Sequence, residues 1–407
     1  MEIFYHIWSR MCSRTSKCDI LVGMKCLYVL KSFAFAMVGL LVASSALAEP
    51  KTAMSEAFAL WENGEAGVNT YRIPALCLAP DGKTLVAACD ARHASFRDLN
   101  AGEKIEIVLR TSVDGGKTWT PSTGSYAWQW DETERWAASD PSFIVDAKAK
   151  RIFLFYNVWE NVKSKGLYKQ YVQMSADNGK TWGKPREITE SIRPNGWSPQ
   201  GFVFITSGSG TQLADGTLVH TLVWVGKQVA LFGSTDHGKT WRAIGRPTPS
   251  PGDECKVIEL TNGDLMINSR RTAGSREIFV SSDRGANWKH RTDTSLLDPA
   301  CNAQIMPYPM GRRAGRKLVD GRTCPKNVLL FSNCKATSRR NLTIRASWDD
   351  GETWTEGLTI EPGPTQYSDI CLLPAPANAM PDIGILYEAG NQIRFRTVKA
   401  AAILASH

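Results

Sequence analysis

Five stretches that occur once in the chain carry the residue types with chemistry in them. They are "TYRIPALCLAPDG" from Thr70, "ACDARHASFRDLNAGEKIEIVLR" from Ala88, "DECKVIELTNGDLMINSR" from Asp253, "SRRNLTIRAS" from Ser338 and "TQYSDICLLP" from Thr365. An arginine is permanently charged, and its planar fork can hold a carboxylate through two parallel hydrogen bonds. A tyrosine is a weak nucleophile near neutral pH, because its phenol ionises near 10, and it needs a base beside it. An aspartate on a loop can give a proton to a leaving group and then take one from water. Which of these side chains meet depends on the elements that carry them.

Those elements announce themselves by repetition. "TSVDGGKTW" at 111–119 returns as "SADNGKTW" from 175, "STDHGKTW" from 234, "SSDRGANW" from 281 and "SWDDGETW" from 347. Each copy has the form S-x-D-x-G-x-[T/N]-W. Aspartate bonds forward to its own backbone in a tight turn, and glycine accepts positive φ. Short strand-like runs precede most copies, "KIEIVLRTS" and "REIFVSS" among them, and further runs such as "RIFLFYNVW" and "NVLLFSN" lie between. No long segment has sustained helical periodicity. Units of roughly 45–65 residues, each with several strands, predict an all-β fold, a six-bladed β-propeller in which one blade has lost the turn. One Asp and one Gly per turn fall short of the oxygen count of a calcium loop, so the turns read as scaffold.

The Tyr-Arg-Ile-Pro stretch followed by these Asp-boxes resembles the bacterial and animal exo-α-sialidases, over residues 55–400. The resemblance implies three arginines that clamp the carboxylate of sialic acid. Arg72 matches the first, Arg270 the second through its N-x-R context, and Arg339 the third through its x-N-L-T context. It implies Tyr367 as nucleophile, Glu254 as the carboxylate that takes its proton, and Asp98 as acid/base. Asp90 is the runner-up for the acid/base. With Arg92 it is expected to help hold the carboxylate end of the site. Asp140 in "SDPSFIVD" and Gln212 in "GSGTQLADGTLV" are expected near the sugar, and Gln304 is a weaker candidate.

Several neighbours compete for these roles. Arg271 and Arg340 adjoin the favoured arginines, and a slip of one residue along a strand would swap which side chain faces the site. Glu259 is the rival for Glu254, and His93 reads as a loop residue. The resemblance implies a retaining sialidase acting on terminal sialic acids through a covalent tyrosyl intermediate, without metal or organic cofactor. A trans-sialidase, and a sialic-acid-binding propeller without turnover, are the alternatives.

The remainder of the sequence bounds the setting. Net charge is +8 over 407 residues, and no basic cluster is interleaved with aromatics, which argues against a nucleic-acid partner. From Met24, a Lys-bearing start, an apolar run and Ala46-Leu47-Ala48 form the pattern of a signal peptide cleaved after Ala48. A transmembrane anchor is the rival reading, disfavoured by the short apolar run. Residues 1–48 are therefore expected to be a leader and 49–407 a single exported catalytic domain, periplasmic or secreted and monomeric. Of ten cysteines, seven follow the leader. Cys324 and Cys334 are placed to bridge if they flank a hairpin, and the others read as buried small hydrophobes.

Overall fold

Each Asp-box folds into the same hydrogen-bonded turn. At the first, the Asp114 carboxylate accepts the Thr118 backbone N–H (3.0 Å) and hydroxyl (2.6 Å), while Ser112 Oγ accepts the Gly116 N–H (2.9 Å). The same contacts recur around Asp177, Asp236, Asp283 and Asp349. Glycine is required at the turn's fifth position. Gly116 has φ 88°, and a Cβ there would lie 2.2 Å from the Phe395 ring. The closing tryptophan packs on the neighbouring sheet, as Trp119 does edge-on to Phe395 at 5.2 Å.

These turns link the third and fourth strands of antiparallel sheets. The computed structural model describes residues 53–405 apart from 123–125, 134, 161–167, 199–200, 272–273 and 319, so the expected leader and its cleavage site lie outside the described residues. The first sheet comprises Thr70–Leu78, Leu85–Arg92, Ile105–Ser112 and Tyr126–Trp128. The second runs Trp136–Asp146, Arg151–Glu160, Tyr168–Ser175 and Arg186–Glu187, with Gly208–Ser209 added alongside its innermost strand. The third is Val203–Ile205, Leu218–Trp224, Gln228–Ser234 and Arg242–Ile244, and the fourth Cys255–Glu259, Leu265–Ser269, Arg276–Ser281 and Lys289–Asp293.

The remaining strands form one seven-stranded path. Its middle strand, Leu358–Leu372, pairs through Pro364 with Arg340–Ser347 and from Thr365 with Ile383–Ala389. Divided there, the path is two four-stranded sheets. One holds Gln304–Pro309, Asn327–Cys334 and Arg340–Ser347; the other holds Ile383–Ala389, Gln392–Val398 and Phe58–Glu62. The outermost strand of this last sheet thus comes from the beginning of the described chain. The last sheet has no chain turn between its third and fourth strands, which is why Asp-boxes number one fewer than sheets. One sheet therefore lacks the turn, as the sequence suggests, because its topology provides no place for one.

Apolar clusters fill the spaces between successive sheets. One joins Leu60, Trp61 and Phe395 of the last sheet to Leu76, Ala87 and Cys89 of the first. Another joins Phe153 and Phe155 to Leu218, Phe232 and Trp241. This arrangement is a β-propeller. No described helix is long and apolar enough to cross a membrane.

All seven described cysteines are buried free thiols. Cys324 packs with Tyr308 and Met310, whereas Cys334 packs with Ile73, Cys301 and Tyr367. The strand Asn327–Cys334 lies between them, a length of roughly 23 Å at strand rise, far beyond disulfide reach. The expected Cys324–Cys334 bridge is therefore not formed.

Candidate active site

The innermost strands bring the single-copy residues to a common centre. Tyr367, on Leu358–Leu372, donates a short hydrogen bond to Glu254 Oε1. Arg270 Nη1 donates to the other Glu254 oxygen (2.6 Å) and to the phenol oxygen (3.2 Å), and Asp253 stands 3.4 Å from Arg270 Nε. Backbone pairing fixes Arg270 beside Glu254, because the Arg270 N–H bonds to the Glu254 carbonyl (2.8 Å). Burial pushes the Tyr367 phenol well above its ordinary value and the Glu254 charge pushes it further, while Arg270 and Arg72 pull it back. A buried phenol with a carboxylate on its proton and two cations beside it can become a nucleophile.

Two more guanidinium groups lie over the phenol. Arg72 stands 5.2 Å and Arg339 5.7 Å from the Tyr367 ring centroid. Arg339 is oriented by Gln366 Oε1 (2.8 Å) and the Ala300 carbonyl (3.0 Å). Arg72 is held by Glu388, which lies 3.4 Å from its Nε and also accepts the Ile73 N–H (2.8 Å). Burial works against the Arg72 charge, but Glu388, Tyr367 and Asp98 more than offset it, so the cation is held firmly. Arg270 is likewise held by Glu254, Tyr367 and Asp253 against burial. Three fixed guanidinium groups around one phenol suit a carboxylate ligand.

Asp98 occupies the rim, 74 % exposed and 3.7 Å from Arg72. It precedes a single 3-10 turn, Leu99–Ala101, whose Leu99 is buried. Arg92, only 2 % exposed, binds Asp98 at 2.8 Å and Asp90 at 2.9 Å. The same guanidinium donates to the Phe96 and Arg97 carbonyls, tying the loop down. Asp90 is fully buried and also accepts Ser139 Oγ (2.5 Å) and the Asp140 N–H (3.1 Å). Burial pushes its carboxyl up to about 6 despite Arg92. Asp90 is thus a locked support, and the solvent-facing carboxylate is Asp98.

Asp140 also joins the site. It has φ 63° at a break in strand register between Ser139 and Ser142, and its carboxylate accepts Asn157 Nδ2 (3.2 Å) from the paired strand. Burial, then the charges of Asp90 and Glu254, push it up to about 8. It lines a cavity of ≈ 240 Å³ with Asp98, Tyr168, Phe202, Glu254 and Tyr367. A neighbouring cavity of ≈ 650 Å³ runs along Arg72, Asp98, Arg339, Gln366 and Glu388.

The rivals fall elsewhere. Arg271 is half-exposed and pairs with Glu277 (2.8 Å), and Arg340 is exposed. Glu259 accepts the Ala214 N–H (2.6 Å) beside the strand-end turn. His93 bonds Glu106 (2.7 Å), and Gln304 is buried against Ser209. Gln212, expected near the sugar, instead bonds Asp146 (2.7 Å) and the Ala147 N–H (3.0 Å). Asp146 also holds His237 of an Asp-box (2.7 Å), so Gln212 belongs to the turn-bearing end of the sheets. Its place follows from the short pairing of Thr211–Gln212 with Leu218–Val219.

Glu388 and Gln366 escaped the sequence reading. Gln366 had one signal, its position beside Tyr367. Glu388 had none, since it meets Arg72 only through closure of the ring.

Residues 101–377 match the model of the BNR repeat-like domain. The chain is 35 % identical over 363 residues to a sialidase of Micromonospora viridifaciens, covering 83 % of this chain and 53 % of that protein. It is 28 % identical over 370 residues to a sialidase of Bacteroides fragilis (84 % and 64 % covered), and 25 % identical over 364 residues to mouse sialidase-2 (80 % and 90 %). The chain therefore spans between half and two-thirds of the length of the two bacterial relatives. Among solved structures, the Hadza microbial sialidase Hz136 superposes with a TM-score of 0.73 at 28 % identity, covering 85 % of this chain and 69 % of that one. A Trypanosoma rangeli sialidase in complex with sialic acid shares the fold, with a TM-score of 0.65 at 19 % identity over 86 % of this chain and 59 % of that one. With the repeat model matched over most of its length and sialidases aligned along it, the chain belongs to the BNR-repeat sialidase family.

Proposed function

We propose that the chain is a retaining exo-α-sialidase that releases terminal sialic acids from glycans through a tyrosyl intermediate. The observation that carries this reading is the Tyr367–Glu254 hydrogen bond set among Arg72, Arg270 and Arg339. The substrate carboxylate sits among the guanidinium groups, which fixes the anomeric carbon over the phenol. Glu254 takes the phenol proton as the oxygen attacks, and Asp98 protonates the departing glycosidic oxygen. In the second step Asp98 activates water, which displaces the tyrosyl oxygen with return of the proton from Glu254. A neutral phenol suits this centre because a carboxylate nucleophile would approach carbon bearing a carboxylate of its own. Asp140 and the aromatic wall of Tyr168 and Phe202 face the remainder of the sugar.

Residues 49–407 are proposed as a single exported catalytic domain. The test is hydrolysis of α2,3-sialyllactose followed by proton NMR from the first seconds. Early release of the α-anomer of free sialic acid supports retention; early β-anomer refutes it. Dominant transfer to added galactoside makes the chain a trans-sialidase. Sialoside binding without turnover makes it a lectin.

A further inference from the structure

The two cavities of the site share a single lining residue, Asp98. The inner one, ≈ 240 Å³, holds Tyr367, Glu254 and Asp140. The outer one, ≈ 650 Å³, runs from Arg72 and Arg339 along the seam of the ring to Asn63 and Gln392. Asn63 directly follows the edge strand Phe58–Glu62, and Gln392 opens the strand paired with it. A group that protonates the bond between two sugars must stand between the places that hold them. Asp98 stands at that boundary, and the chemistry above assigns no part of the substrate to the outer end of the larger cavity.

The outer wall has the makings of a sugar site. Phe96 lines it and is 72 % exposed. A lone exposed phenylalanine needs no explanation, but this one is displayed in a fixed place. Arg92 Nη1, buried under the loop, donates to the Phe96 carbonyl (2.8 Å), the Arg97 carbonyl (3.1 Å) and the Asp98 carboxylate (2.8 Å). Ser95 Oγ donates to Glu103 (2.6 Å) and accepts the Arg97 N–H (3.1 Å), closing the loop from the other side. One guanidinium thus holds both the acid and, two residues before it, the aromatic ring. Three amides line the same cavity. The side-chain oxygen of Asn63 accepts the Tyr71 N–H (2.9 Å), that of Gln366 accepts Arg339 Nη1 (2.8 Å), and that of Gln392 accepts Arg394 Nε (2.8 Å). Their amide nitrogens have no partner among the described residues and are left to donate. An aromatic face beside amide donors matches a pyranose, which presents an apolar C–H face and a rim of hydroxyl oxygens.

We infer that the outer cavity is an aglycone subsite, in which Phe96 stacks on the neutral hexose next to the sialic acid and sets a preference for saccharide leaving groups. The inference rests on the sialidase reading and deepens it. Binding energy from this second sugar, remote from the reacting carbon, goes into fixing the glycosidic oxygen against Asp98. A methyl leaving group offers no face to stack and gains none of it.

The test is the ratio of kcat/KM for α2,3-sialyllactose to kcat/KM for methyl α-sialoside, in wild type, F96A, F96Y and Q392A. The ratio within each variant cancels any loss common to both substrates, including a disturbance of Asp98. F96A should lower it roughly three- to tenfold, the worth of one aromatic contact, and F96Y should restore it. Q392A, which removes a donor contributed by the last sheet, should lower it by about two- to tenfold and carries the test if F96A does not fold. A ratio unchanged in F96A overturns the inference, and so does an equal fall on both substrates, which would make Phe96 a support of the acid loop. Failure of F96Y to restore the ratio also overturns it. A wild type inert toward both sialosides refutes the sialidase reading itself, and the inference falls with it.

Discussion

Replacing Glu254 by Gln removes the proposed base while nearly preserving its shape, and the geometry around Tyr367 predicts how the rate should then depend on pH. At pH 7 an unassisted phenol ionising near 10 is phenolate in about one molecule in 10³, which corresponds to about 4 kcal/mol. General bases contribute on the order of 10²–10⁴ in rate. E254Q should therefore lose about 10³ in kcat/KM near neutrality. Arg270 adds a signature, because its Nη1 contacts both the carboxylate (2.6 Å) and the phenol (3.2 Å). Without the Glu254 charge, which raises the phenol, the opposing pull of Arg270 and Arg72 remains. The Tyr367 phenol should thus ionise at lower pH in the variant, visible as tyrosinate absorbance that is missing from E254Q/Y367F. The residual rate of E254Q should climb about tenfold per pH unit until that ionisation is complete. E259Q is the control, since Glu259 binds the Ala214 backbone away from the phenol. If E254Q keeps activity within tenfold of wild type, or shows a flat profile, the base assignment is wrong.

Asp98→Asn should spare activated aryl sialosides and impair sialyllactose by a further 10²-fold or more, since only the poor leaving group needs a proton; equal losses on both substrates would remove Asp98 from the acid role. Arg339→Ala removes a charged hydrogen-bonding partner worth about 1.5–3 kcal/mol, so kcat/KM should fall roughly 10–150-fold, whereas R271A should leave it unchanged. Stability should pass through a maximum in mildly acidic solution. Asp90 and Asp140, pushed up to about 6 and about 8, favour the protonated folded form; that contribution is complete below about 4 and is lost as pH rises through 6 to 8. Asp283, lowered to about 2 by its Asn287 hydrogen bonds, acts oppositely: its contribution is present above about 4 and is lost as pH falls towards 2. Calorimetric melting across pH 3–9 checks this, and D140N should flatten the alkaline slope.

The sequence made the scaffold legible because an Asp-box is local: every contact that defines it lies within a few residues. Arg72, Arg270, Arg339, Glu254 and Tyr367 were legible through the short motifs around them, and the structure places all five together. What could not be read was set by distant pairing. Glu388 reaches Arg72 across 316 residues. Gln212 carries a plausible motif, but strand register assigns it to the turn-bearing end. Lys256 sits inside a recognised stretch, yet nothing in its neighbours reveals that its side chain is buried and donates to Asn302, 46 residues away.

The seam of the ring gives the site a property that neither blade has alone. Phe58–Glu62 completes the last sheet, and only ten or so residues later the same chain delivers Arg72 to the Glu388 of that sheet. Closing the circle and seating Arg72 against Glu388 are thus coupled. Ligand affinity should therefore report on whether Phe58–Glu62 is zipped to the last sheet. Fraying of one edge strand should silence the molecule while the other sheets stay folded, so loss of activity on warming should precede the main unfolding transition.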